Sequence, residues 1–207
     1  MKKIFLGIIA LIVCIASFET SAQNRFGAVV SVNHNTPHFN QELIGVDPAI
    51  GYSAGLISDL ALGSNGFGIN ASLLYTQRSG VLHLGDKKIW AADGFGNERT
   101  YLHYIEIPIH IRYMYVHLNG FEEKLAPYVF AGPSFSILAG HNHVEALKYS
   151  AMAFSMQFGI GAQIYNNFHV SAMYDWGLSY AVKTKLLTDF SARNRCWKLT
   201  FTYFFKN

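Results

Sequence analysis

The side chains best suited to do chemistry in this sequence centre on one stretch, YLHYIEIPIHIRYMY at 101–115. Read at alternate positions, it sets Glu106, His110 and Arg112 on one side of an extended chain: a carboxylate, an imidazole and a guanidinium. Asp59, His169, Asp175 and Lys198 fall on the corresponding side of other alternating segments. Such a set fits a proton or ion pathway, or a general acid and base. It also fits a purely structural use, because charges enclosed by a small closed sheet must pair with one another to offset desolvation. The structural use is the one expected here, with Glu106, Arg112, His110, Asp175 and Lys198 forming one interior charge network. Glu106 and Arg112 lie about 20 Å apart along an extended strand. Each therefore needs a partner from another strand, with Lys198 and Asp175 as the candidates.

Two further groupings invite chemistry. His34 and His38, with His141, His143 and Glu145, could bring imidazoles from two loops around a transition metal, although their spacing matches no known ligand pattern. His103, with Tyr101 and Glu98 nearby, could act on lipid, yet no nucleophile motif accompanies it. Phosphate loops, zinc-finger spacings and nucleic-acid faces are not found. The expectation is a protein with no catalytic residue, no cofactor, no metal site and no nucleic-acid partner.

The elements that would position these residues are strands. In 101–115 the opposite face is Tyr101, His103, Ile105, Ile107, Ile109, Ile111, Tyr113 and Tyr115, a branched aliphatic stripe flanked by tyrosines. Period-two alternation is the strand signature, and an apolar stripe between aromatics opposite a charged face suits lipid outside and a polar lumen inside. Seven more alternating segments follow the same rule, giving strands at 25–33, 49–59, 67–78, 101–115, 127–138, 152–165, 168–179 and 194–205. The two faces of the fifth do not separate, and Pro133 within it predicts a bulge. Asn166-Asn167 predicts a tight turn.

The connections alternate long and short, as in an antiparallel meander with short periplasmic turns and longer exterior loops. The exterior loops would lie around Asn35, Lys87, Asn142 and Lys185. Residues 1–22 read as a secretory signal, with Lys2 and Lys3 before an apolar run and Thr20-Ser21-Ala22 at the cleavage site. Residues 23–207 would form one domain. Cleavage after Ala22 removes two lysines and one glutamate, taking the formal charge from +3 to +2 and implying no polyanionic partner. Cys196 is the one cysteine of the mature chain, so no internal disulfide is available. The fold class is all-β: an eight-stranded antiparallel up-and-down transmembrane β-barrel after a cleaved signal peptide.

Several of these residues carry a family resemblance. Y-I-E-I-P at 104–108 followed by I-R-Y at 111–113 resembles the Y-x-E-I-P-x-x-x-K/R-Y stretch of the PorT-like outer-membrane β-barrel family of Bacteroidota. S-L-L-Y-T-Q-R at 72–78, P-Y-V-F-A-G-P-S at 127–134, F-G-I-G-A at 158–162, Y-D-W-G-L at 174–178 and N-R at 194–195 are similar to further family motifs in the family's order. Ser72 and Met173 stand where the family often has Glu and Arg. The resemblance implies a non-enzymatic integral protein of the cell outer membrane, structural or accessory to assembly or secretion. Its implied partners are outer-membrane lipid, the barrel-assembly machinery during insertion, and a secretion-system or other envelope protein. A lipid-modifying barrel enzyme and a minor pore for small solutes are the alternatives. Lys198, Phe201, Tyr203 and Phe205 resemble the C-terminal insertion signal of such barrels, with Thr200 in place of the usual glycine.

Overall fold

A computed structural model describes residues 24–39, 45–63, 65–86, 91–92, 94, 96–116, 124–142, 147–184 and 191–205. The signal segment 1–22, His143, Glu145, Lys87 and Lys185 lie outside the described residues. Nine strands follow in chain order: β1 Asn24–Phe39, β2 Gly45–Ala61, β3 Phe67–His83, β4 Asn97–Met114, β5 Leu125–His141, a short β6 Leu147–Tyr149, β7 Met152–Ile164, β8 Phe168–Thr184 and β9 Ser191–Phe204. A 3-10 turn, Leu84–Asp86, follows β3. All pairings are antiparallel between neighbours, and β9 pairs with both β1 and β8, closing an eight-stranded barrel. The short β6 pairs only with β8, beyond the end of β7.

The alternation sorts side chains as its period requires. On β4, Leu102, Tyr104, Glu106, His110, Arg112 and Met114 are buried in the barrel, while Ile111 on the other face is 64% exposed. On β5 the inward residues are Tyr128, Phe130, Ser134 and Ser136, and Val129 and Phe135 face out. That strand was hard to read because rings occupy its inner face and prolines and alanine its outer one. Room for those rings comes from β7: a Cβ on Gly159 would meet the Phe130 ring at 2.6 Å, and one on Gly161 would collide with the Tyr128 ring.

Three local expectations change. No bulge forms at Pro133, whose neighbours keep one register with β7, from Gly132 opposite Gln157 to Ser134 opposite Ser155. The irregularity between β4 and β5 falls instead at His103/Tyr104. In the β7–β8 hairpin the left-handed residues are Tyr165 (φ 48°) and Asn166 (φ 61°), one position earlier than the Asn-Asn pair predicts.

The strands also run further than expected at the long-connection end, where β1 continues through Asn35 to Phe39, β3 to His83 and β8 to Thr184. Several outward positions there are polar, among them His34, His38 and Arg99, so the apolar alternation stops while pairing continues. Inward positions remain apolar: Phe39, Leu82, Leu102, Leu147, Val182 and Ala192 pack into one buried cluster. Asn35 is accordingly not in a loop. It is buried in β1, its amide 3.5 Å from the Ala49 carbonyl. Asn142 caps the β4–β5 end, donating to the Arg99 carbonyl and accepting from the Tyr101 amide.

Ile107 lies midway between the outward tyrosines Tyr101 and Tyr113. Ile107→Arg should therefore cost about 2–4 kcal/mol of stability, as a cation at the bilayer midplane does. Urea unfolding in phospholipid vesicles measures this, and an unchanged midpoint would mean that this face does not meet hydrocarbon.

Candidate functional site

Half-way along the barrel, side chains from five other strands gather around Glu106 of β4, which is fully buried. Its Oε1 accepts from Lys198 Nζ of β9 at 2.6 Å, Gln157 Nε2 of β7 at 2.6 Å and Ser134 Oγ of β5 at 3.1 Å. Its Oε2 pairs with Arg78 Nη2 of β3 at 3.2 Å. Asp175 of β8 completes the square, with Oδ2 at 2.9 Å from Arg78, 3.2 Å from Lys198 and 2.9 Å from Gln157 Nε2. Each carboxylate thus faces both cations, and the four formal charges cancel. Because Gln157 turns its amide nitrogen to the carboxylates, its Oε1 is left to accept from His110 Nε2 at 2.9 Å, which places the proton of that imidazole on Nε2. The Arg78 guanidinium also lies 5.5 Å from the Tyr104 ring centroid.

Arg112 belongs to a second cluster nearer the short-turn end. Its Nη2 is 3.1 Å from Asp59 Oδ1, and the Arg25 guanidinium holds Asp59 Oδ2 from the other side. Arg25 continues to Gln163 Oε1 at 3.3 Å, which His169 Nε2 meets at 3.0 Å. The single network expected from sequence is therefore two clusters. Glu106, Asp175 and Lys198 share one, His110 joins it through Gln157, and Arg112 sits in the other. Strand register separates them: Gly68 lies opposite Arg112, and Asp59 pairs with Asn70, opposite His110. Gly68 leaves the space the guanidinium fills, since a Cβ there would lie 2.7 Å from Nη2.

Arg78 and Gln157 were missed as members, although both fall on the inward parity of their strands. Their signal was that parity alone, and Arg78 stood at the edge of a segment read as ending. Ser72 and Met173, where the resemblance places a charge pair, line a cavity of about 40 Å³ on the short-turn side of the Glu106 cluster. A second cavity of about 10 Å³ lies on the other side, beside Arg78. The larger holds a few waters at most, since one needs about 10–15 Å³.

The remaining candidates separate. His34 and His38 point outward and exposed from β1, while His141 ends β5 with its ring 4.3 Å from that of Tyr149. Among the described residues no group of three His, Cys, Asp or Glu side chains is placed to hold a metal ion. Outward-facing His103 accepts or donates a 2.7 Å hydrogen bond with the Tyr75 hydroxyl. Glu98 does not join it, being on the inward parity of β4. On β9, Lys198 and Thr200 are buried whereas Phe201, Tyr203 and Phe205 are exposed, so the aromatics of the C-terminal pattern form an outward row.

Comparison with known proteins gives the following. The family model described as outer membrane protein beta-barrel domain matches residues 21–182. Among solved structures, the outer membrane protein OprG from Pseudomonas aeruginosa aligns with TM-score 0.52 and 10% identity, covering 89% of this chain and 96% of that one. Neisserial surface protein A aligns with TM-score 0.49 and 12% identity over 87% and 97% of the two chains. The outer membrane enzyme PagL aligns with TM-score 0.42 and 12% identity over 84% and 98%. No curated protein sequence matches the chain.

Proposed function

This chain belongs to the outer membrane protein beta-barrel domain family, and we propose that within it the protein is a non-enzymatic, closed barrel acting as a structural or accessory component of envelope assembly or secretion. In this reading it is exported with cleavage after Ala22 and inserted by the barrel-assembly machinery, which reads Lys198, Phe201, Tyr203 and Phe205. It sits with its short turns in the periplasm and its long connections outside. The observation that carries the reading is the Arg78–Glu106–Asp175–Lys198 square, which fills the middle of the lumen with side chains bonded to one another. Such an interior stiffens the wall and leaves the outer rim as the surface available to a partner. That rim is built of paired strands over its own apolar cluster rather than of loops alone. The PorT-like motifs agree with an accessory role beside a secretion or envelope protein.

Mild-detergent isolation of the tagged protein from its native outer membrane should recover a stoichiometric envelope partner. Recovery of the barrel alone, before and after cross-linking, would defeat the accessory role. The lipid-modifying alternative has one observation in its favour, the outward Tyr75–His103 pair. A change in lipid A mass on incubation with the purified protein would establish that alternative instead.

A further inference from the structure

On β9 the outward odd-numbered positions are apolar or aromatic from 205 down to 197 and then become Arg195 and Arg193. Positions 205 to 197 span about 26 Å of strand, or about 20 Å of height at a tilt near 40°, close to the apolar band of an outer-membrane barrel. Arg195 and Arg193 then stand about 5 and 10 Å beyond the level of Trp197, within the headgroup layer. Their neighbours suit that layer. Trp176 lies opposite Arg195 on β8 and Tyr180 opposite Arg193, while His38 stands opposite Arg193 on β1. The Arg193 guanidinium lies 5.0 Å from the Tyr180 ring centroid and donates to its hydroxyl at 3.4 Å.

What this face lacks, among the described residues, is a carboxylate. Arg25, Arg78 and Arg112 are each paired with Asp or Glu inside the barrel. Arg195 has no hydrogen-bonding or ionic partner among the described residues, and Arg193 has only the tyrosine. Two cations on one face, two residues apart and next to the hydrocarbon boundary, call for an anion from the membrane. We propose that Arg193 and Arg195 bind a phosphate group of an outer-leaflet glycolipid, with Trp197 and Trp176 set at the boundary between its headgroup and acyl chains. Planar guanidinium forks match phosphate oxygens. The leaflet assignment rests on the orientation proposed above.

The test uses the mature barrel in phosphatidylcholine nanodiscs doped with lipid A carrying both phosphates, with retained lipid read by native mass spectrometry. Wild type should retain lipid A in preference to its dephosphorylated form. Arg193→Gln with Arg195→Gln should lower retention about tenfold or more, the scale of a lost charge-assisted hydrogen bond. Lys124→Gln, at the opposite end, should leave retention unchanged. Should the double variant lose its heat-resistant folded mobility, Arg195→Gln alone carries the test, since that side chain bonds to no other described residue. Equal retention by the variant, or of the dephosphorylated lipid, would overturn the proposal. So would displacement of the lipid by millimolar inorganic phosphate, which would mark a free-phosphate site. Nanodisc binding does not depend on orientation in the cell, so the leaflet is tested separately, in a Cys196→Ser background. An impermeant thiol reagent on whole cells should label Lys148→Cys and spare Asn166→Cys. The reverse pattern would overturn the outer-leaflet assignment.

Discussion

Replacing Glu106 with alanine should lower the stability of the barrel by about 3–5 kcal/mol, the scale of breaking a buried ion pair from one side. Lys198 and Arg78 would then share only Asp175, and the amide of Gln157 and the hydroxyl of Ser134 would each lose an acceptor while staying buried. An exposed substitution, Lys148→Ala, should stay within about 0.5 kcal/mol. Urea unfolding in lipid vesicles compares the two. A second variant separates charge balance from loss of shape: Glu106→Leu with Lys198→Met removes one charge of each sign and leaves Arg78 with Asp175. Replacing a buried pair by apolar groups of similar volume is often neutral, so this double variant should recover most of what Glu106→Ala loses. If Glu106→Ala behaves like Lys148→Ala, the glutamate is solvated and the lumen is wet.

The second large effect is expected in the cell rather than in the folded protein. Phe205 lies just past β9, with its amide donating to the Phe26 carbonyl at 2.8 Å and its ring 5.9 Å from that of Tyr203. Phe205→Asp places a carboxylate near the membrane interface, where acidic substitutions on the lipid face cost at most about 1 kcal/mol. The variant should thus refold into vesicles almost as well as wild type. In cells it should nevertheless be exported, fail to reach the outer membrane and be degraded in the periplasm, if the assembly machinery reads the aromatic end of the last strand as proposed above. Cell fractionation with immunodetection distinguishes the outcomes. Normal outer-membrane levels would remove Phe205 from the insertion signal, and a folded soluble periplasmic form would contradict a lipid-facing β9.

These two residues also mark how far the sequence alone could be read. All eight long strands were placed from the sequence, all but β5 with separable faces, and the inward parity of Glu106, His110, Arg112, Asp59, Asp175, His169 and Lys198 followed from period-two alternation, because lipid and lumen impose opposite chemistry on alternate positions. Where lipid ends, that contrast ends too. The segments from His34 to Phe39 and from Ser79 to His83 remain paired strands, but their outward side chains, such as His34, His38 and His83, form no apolar stripe, so they read as loops. Pairing inside the barrel was legible only in kind. Asp59 reaches Arg112 and Arg25, and Glu106 reaches Lys198, through contacts between distant strands whose register no single strand encodes. β5 resisted reading because it turns Tyr128 and Phe130 inward, where β7 supplies glycines to receive them.

The central claim is that the lumen is filled by interlocked side chains and does not conduct. Single-channel recording of the purified wild-type barrel in planar bilayers tests it most directly. The bonded square around Glu106, with cavities of about 40 and 10 Å³ among the described residues on its two sides, predicts a current indistinguishable from that of protein-free lipid. Discrete, reproducible ion-conductance steps from the folded protein would contradict it.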